Sequence, residues 1–421
     1  MIQEGSPWGR SHWLVFASAS VGFLLWGLIT SLGYVIYPEF HSPAYLAVVA
    51  AVPLIGDLAL SRLSDLMIGR KRAFIYTMSL YAAGSLLVAL DALYLSMNVA
   101  VFLAGYALAT LAVVGEVPVS LAYLAEVTPT ALRDRVLVLS TNFDNIGAAV
   151  AAAIALLTYG SGSSYSVEAL SIAVAALAAL AAAALLRSLL PESLRWLRAR
   201  GRAPPAGPRD QEAAGPAPTV GILGRYSFLA ALGVSQYLTY GLMAFVVADY
   251  FFSGQSLNLV ILVANGAASV AGLAAPLIEE RLGSVRFALL SYAGGLLSMA
   301  PIIAWALYWP APWAFYPLLM LNMAFSELAW AVRIIYEPAL FPTESRAFMV
   351  GLVEAAPMAA YTASAYLTSA LTEAWFLAYS AALWAVGAAA SVAWSLRGYD
   401  VSGIPLELTS APARRDPLQR S

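Results

Sequence analysis

Along this chain, apolar runs long enough to cross about 30 Å of hydrocarbon follow one another with short polar connections between them. A window of about 19 residues picks out twelve candidate spans, at 13–35, 44–61, 73–95, 98–125, 136–159, 167–187, 226–252, 256–277, 287–308, 312–336, 348–371 and 374–396. No other feature constrains the fold as much, because a segment in lipid must satisfy its own backbone N–H and C=O groups, and a helix does so. The composition agrees: 61% of residues are hydrophobic and 11% charged, against roughly 25% charged in soluble domains. The expected fold class is an all-α membrane protein with twelve transmembrane helices.

The basic residues test that count, since short cytoplasmic loops retain Lys and Arg and translocated loops lack them. Arg10 precedes the first span; Arg62, Arg70, Lys71 and Arg72 follow the second; Arg133 and Arg135 follow the fourth; seven arginines from Arg187 to Arg225 follow the sixth. Arg281 and Arg286 lie beyond the eighth span, Arg346 beyond the tenth, and Arg397, Arg414, Arg415 and Arg420 beyond the twelfth. Only Arg333 falls inside a span, and none of the 22 basic residues falls in an odd-numbered connection, where Glu39, His41, Glu168 and Glu373 sit. A multi-pass protein of the cytoplasmic membrane with both termini in the cytoplasm is predicted. The first span is too long for a signal-peptide core and carries no small-residue cleavage site, so no cleavable signal is expected.

Several classes of function lose support at this point. Without cysteine there is no disulfide framework or thiolate metal site, and His12 and His41 fall on opposite sides, so no metal centre is expected. No GxxxxGK[ST] motif is present for an ATP motor, and no nucleophile or cofactor constellation suggests an enzyme. The net charge of −2 is sorted by membrane side rather than pooled, and no nucleic-acid partner is expected.

Between Arg187 and Arg225 the text "RAPPAGPRDQEAAGPAPTVG" reads as a linker, rich in Pro, Ala and Gly. It predicts an N-terminal six-helix bundle at 1–187, a cytoplasmic linker at 188–225, a C-terminal six-helix bundle at 226–396 and a cytoplasmic tail at 397–421. Sites recur between the halves. "DLMIGRKR" at 65–72 places an acid, a glycine four later and an arginine three beyond that, and "EERLGSVR" at 279–286 repeats it with Glu279, Gly283 and Arg286 at an offset of 214. "PTALR" at 129–133 returns as "PTESR" at 342–346, and Gly27 matches Gly241. Such repetition marks the two-lobed transporter folds.

With the acid-x3-Gly-Arg loop after span 2 (echoed after span 8 by Glu279 and Gly283), "AEVTPTALRDR" after span 4, "PESLRWLRARGR" after span 6 and "FPTESRA" after span 10, the chain resembles the sugar-porter-like branch of the major facilitator superfamily. The resemblance implies two bundles rocking about a central site near the midplane, and a cytoplasmic gate of ion pairs. The matching gate positions are Asp65, Gly69, Arg70, Glu126, Arg133, Arg135, Glu192 and Arg195 in one half, with Glu279, Arg286 and Arg346 in the other. As exposed pairs they would contribute about 0 to 1 kcal/mol each, weak enough to bias a switch without locking it. Departures are also plain. The first-helix aspartate of proton-coupled sugar porters is Leu25 here, and the "PETKG" near the C-terminus corresponds at best to "YDVSGIPLEL" at 399–408.

Acids deep in hydrocarbon are costly and call for a partner or a function. Glu116 and Asp144 are both deep and are the proton-coupling candidates. Asn142, Asp144 and Asn145 in "STNFDNIG" gather hydrogen-bonding groups; Gln236 and Tyr240, four apart, share a helix face, as do Glu327 and Trp330, three apart. These seven are the substrate-binding candidates. Arg333 is expected to pair with Glu337, Glu354 to belong to rim or pathway, and Asp57 and Asp91 to reach an interface. The function so read is a secondary transporter of a small polar metabolite, a sugar or polyol, with proton symport and facilitated transport both open. An organic-ion or aromatic-acid symporter and a non-transporting nutrient sensor are the alternatives. Protons, the lipid bilayer and a monomeric state complete the expectation.

Overall fold

The structure, a computed structural model, describes residues 7–36, 40, 43–160, 164–204, 218–252 and 255–413. Glu39, His41 and linker positions 205–217 lie outside the described residues. Among the described residues nine helical stretches are long and apolar enough to cross a membrane. Two of these, Ala51–Tyr94 and Ser256–Tyr308, reverse at a glycine and supply two passes each, and the less apolar helix Arg346–Thr368 supplies the twelfth.

The helices are α1 (Arg10–Val35), α2 (Pro43–Leu63), α3 (Gly69–Tyr94), α4 (Val99–Gly115), α5 (Val117–Val127), α6 (Arg133–Thr141), α7 (Phe143–Gly160) and α8 (Tyr165–Ser188) in the first part of the chain. A short α9 (Leu194–Ala199) precedes α10 (Ile222–Gly241), α11 (Val247–Phe251), α12 (Gln255–Tyr308), α13 (Pro312–Ala339), α14 (Arg346–Thr368), α15 (Glu373–Arg397) and α16 (Leu406–Thr409). The fourth and fifth passes each break near mid-length, at Glu116 and at Asn142. Among α1–α8, α1 packs on α7, α2 and α3 on α4, and α3 on α8; later in the chain, α12 packs on α13 and α15, and α10 on α14 and α15. Two seams join these sets, α2 against α14 and α7 against α12.

The repeated glycines have a shared physical cause. Gly69 and Gly283 have φ of 80° and 73°, a region that L side chains with a Cβ avoid. A Cβ on Gly69 would also stand 2.5 Å from Glu192 Oε2, and one on Gly283 2.5 Å from Asp400 Oδ2. Each reversal is thus capped by a carboxylate: Glu192 accepts from the amides of Arg70 (3.0 Å) and Lys71 (3.2 Å), and Asp400 from that of Ser284 (3.3 Å).

The first half is built around a buried ion pair. Arg187 is 2% exposed, which corrects its expected place among the anchoring arginines after the sixth span. It donates to both carboxylate oxygens of Glu116, at 2.8 Å to Oε2, and to the Tyr81 hydroxyl at 2.5 Å. Thr77 adds a hydroxyl to Glu116 Oε2, and the Phe74 ring lies 5.2 Å from the guanidinium carbon. Because α3, α8 and the α4–α5 junction all contribute, this pair ties three passes together.

Removing one partner of such a pair leaves an unpaired buried charge. Arg187→Met is expected to lower stability by about 3–5 kcal/mol, and adding Glu116→Gln to recover most of it, as read by thermal unfolding in detergent. Gly283→Ala is expected to cost about 1–2 kcal/mol or more, from the positive φ and the Asp400 contact; an unchanged Tm would contradict the turn described here.

Candidate functional site

Between the two sets of helices, residues of α1, α2, α4, α7, α10, α13 and α14 line a cavity. Six of the seven expected substrate residues line it: Asp144 and Asn145 from α7, Gln236 and Tyr240 from α10, and Glu327 and Trp330 from α13. Their placement starts with Gly27, where an added Cβ would fall 1.8 Å from the Asp144 carbonyl oxygen, so α1 and α7 touch backbone to backbone and set Asp144 at the wall. Asn145 Nδ2 donates to Glu327 Oε2 at 2.8 Å, a bond across the two halves. Tyr240 donates to Asn265 Oδ1 at 2.7 Å, and Gln236 Oε1 accepts from Arg333 at 2.8 Å.

Two polar atoms in the wall have no protein partner, Glu327 Oε1 and Trp330 Nε1. A buried polar group without a partner costs about 1–3 kcal/mol, so a bound solute that accepts from the indole and donates to the carboxylate recovers that cost. Aromatic rings frame the same space. Trp26 lies 5.8 Å from Trp330 across the halves, and Tyr34 stacks on Phe245 at 4.2 Å. Trp26, Tyr34 and Phe245 were not singled out from the sequence, where nothing distinguishes them from lipid-facing rings; Trp26 is adjacent to the repeated Gly27, the one available pointer.

Two expected residues lie elsewhere. Asn142 is buried at the α7–α12 seam, where its Nδ2 donates to the Ser269 carbonyl at 2.9 Å and its side chain fills the space beside Gly272. Glu116 is committed to Arg187 and does not line the cavity.

The end of the molecule that carries the basic residues is closed. Arg70 Nη1 reaches Asp65 at 2.6 Å and Nη2 reaches Glu126 at 2.8 Å; Arg346 of the other half reaches the same Glu126 oxygen at 3.2 Å. Asp65 Oδ2 accepts from the amide of Phe348 at 2.7 Å, again across the halves. These side chains are 0–2% exposed, which corrects the expectation of solvent-exposed pairs: they are desolvated and held by several bonds each, and breaking one partner leaves a buried charge. Glu192, outside the spans, has its carboxyl pushed above the usual range by burial, opposed by the Ser193, Arg70 and Lys71 amides.

The second half of the rim departs from the repeat. Arg133 binds backbone carbonyls of the C-terminal segment, Ile404 at 2.8 Å and Val401 at 2.9 Å, instead of a carboxylate of the other bundle. Glu279 takes the Ser402 hydroxyl, and its neighbour Glu280 pairs with Arg135 at 2.7 Å. Arg195 lies 3.3 Å from Glu407. Arg286 is exposed and makes no ion pair with a described residue, and its turn is held by Asp400 instead. The tail, with Asp400 and Ser402, is therefore a component of the rim.

Comparison with known proteins agrees with this architecture. A proton:xylose symporter, XylE, bound to 6-bromo-6-deoxy-D-glucose is similar with a TM-score of 0.73 at 16% identity, covering 95% of this chain and 98% of that one. XylE from E. coli in a partially occluded inward-open conformation gives 0.70 at 15% identity over 93% and 99%. FucP, in an outward conformation, gives 0.67 at 13% identity over 93% and 100%. No curated protein matches in sequence. The sequence model of the Major Facilitator Superfamily matches residues 14–356, and the chain belongs to that superfamily of membrane transporters.

Proposed function

We propose that the protein moves a small polar solute, a sugar or polyol, across the cytoplasmic membrane by alternating access with proton symport. The observation that carries this reading is the Asn145–Glu327 bond at the wall of the cavity, which lets each half hold one side of the same solute. In this reading the units 1–187 and 226–396 rock about that site, joined by the linker 188–225, and the tail 397–421 lies on the cytoplasmic side with the basic rim. Amide and carboxylate groups from Asn145, Asp144, Gln236 and Glu327 suit hydroxyl recognition, and Trp330 and Trp26 offer faces to the apolar side of a ring. The likeness in fold to a proton:xylose symporter supports a sugar by analogy alone. Proton coupling is assigned to Asp144, an acid at the cavity wall whose neutralisation accompanies solute binding.

A second reading is an organic cation. Among the described residues, two carboxylates and no Lys or Arg line the cavity, together with tryptophan and tyrosine rings, and that combination attracts positive charge.

The test is reconstitution into liposomes with radiolabelled D-xylose, a polyol and tetraethylammonium, with and without an imposed pH gradient. Sugar accumulation driven by an acid exterior is expected. Asp144→Asn is expected to abolish accumulation while counterflow persists, and unchanged accumulation removes its coupling role. Trp330→Ala is expected to weaken apparent affinity several-fold, equivalent to about 1 kcal/mol of stacking. Flux of tetraethylammonium without sugar flux selects the second reading.

A further inference from the structure

Between the cavity and the basic rim, buried charges of unequal number meet. Arg333 of α13 donates through Nε to Glu337 at 3.0 Å and through Nη1 to Gln236 at 2.8 Å. Its Nη2 stands 2.6 Å from Glu354 Oε1 of α14, close in distance but off the line of an N–H bond. Asp57 of α2, from the other half, lies within electrostatic reach of Glu354, Glu337 and Arg333. None of the four charged side chains is more than 3% exposed. Neither carboxylate oxygen of Asp57 has a hydrogen-bond partner. The seam is tight here, since a Cβ on Gly351 of α14 would stand 2.7 Å from the Asp57 carbonyl oxygen. Among the described residues, two phenols also interact with the cluster, Tyr237 of α10 and Tyr292 of α12. The one lysine, Lys71, and His12 bond elsewhere.

One guanidinium balances one carboxylate. Three ionised carboxylates would leave two uncompensated negative charges away from water, a state so unfavourable that buried acids take up protons instead. An exposed acidic patch needs no such remedy; Asp57, buried with both oxygens free and within electrostatic reach of two other acids, does.

We propose that Asp57, Glu337 and Glu354, arranged around Arg333, form a proton-binding site whose occupancy is coupled to the parting of the α2–α14 seam. While the seam is closed, the excess carboxylates hold protons. Parting carries Asp57 away from α13 and α14 and admits water, so the carboxyls ionise and the protons pass to that water. Closing the seam again requires protons to be taken up. Gln236 both lines the cavity and holds Arg333, so a solute engaging Gln236 alters the grip of Arg333 on its acids. The direction of proton movement rests on the transport reading above; the proton site itself can be tested without any solute.

Infrared spectroscopy of the full-length chain in liposomes reads protonated carboxyl groups. With the cavity acids removed by Asp144→Asn and Glu327→Gln, a protonated-carboxyl band is expected to persist at neutral pH and to shrink when Asp57→Asn or Glu354→Gln is added. A missing band, or one indifferent to both substitutions, overturns the site. Because the chain has no cysteine, Ala347→Cys, at a buried position beginning α14, gives a sole thiol for a membrane-impermeant maleimide. Labelling is expected to rise several-fold more with pH than in the same protein carrying Asp57→Asn and Glu354→Gln. Parallel pH profiles overturn the coupling and leave the transport reading intact, whereas the expected band and profile without sugar or cation flux sustain the site and sink the transport reading alone.

Discussion

Charge that enters hydrocarbon must be met by charge, and the internal organisation of this protein follows from that requirement. In the first half Arg187 closes on Glu116 with Tyr81 and Thr77 around them; in the second, Arg333 draws Glu337, Gln236 and Glu354 together. Each guanidinium reaches across at least three passes, more than an apolar contact can specify, since lipid tails are as apolar as leucine and do not favour one helix–helix arrangement over another. The small-residue contacts, such as Gly27 on Asp144, then allow the backbones to approach at the positions these pairs select.

The same requirement separates the layers of the molecule. In the cavity layer, polar side chains are left with unmet bonds, as at Trp330 Nε1 and Glu327 Oε1, at the wall of the cavity between the two halves. At the rim, Arg70, Glu126 and Arg346 are saturated and dry. Between them lies the Arg333 cluster, where the acids outnumber the guanidinium. Bonds shared between halves, such as Asp65 to the Phe348 amide, are the ones that any opening at this end must break.

Much of this was legible in the sequence, for physical reasons that differ by residue. The passes follow from hydrophobic length, and the reversals at Gly69 and Gly283 from glycine repeated at a fixed offset. Asn145 and Glu327 were identifiable because polar groups at that depth are expensive, but their bond joins positions 182 residues apart and no local pattern encodes it. Arg187 was misassigned because it stands at the head of an arginine-rich stretch; its true partner, 71 residues upstream, is apparent only in three dimensions. Asn142 shares its segment with two cavity residues, yet the helix breaks at that residue and its side chain turns to α12. Asp400 escaped notice because the tail lacks the family's usual wording, although its carboxylate does for Gly283 what Glu192 does for Gly69.

The grip of Arg133 on the tail has an unusual chemical character. Its acceptors on the tail, the Val401 and Ile404 carbonyls, belong to the main chain, and a carbonyl neither titrates nor depends on which side chain its residue bears. Acidification leaves these two bonds unchanged but acts on Asp134, which accepts from Arg133 at 3.1 Å and from the Gly403 amide of the tail at 3.3 Å; ions in solution screen the neutral acceptors less than the exposed Arg135–Glu280 pair beside them. Two of the bonds that fasten the tail therefore outlast swings of salt and acidity that loosen the carboxylate pairs around them, and neither bond depends on the side chain at 401 or 404, although that of Val401 is itself buried in the core.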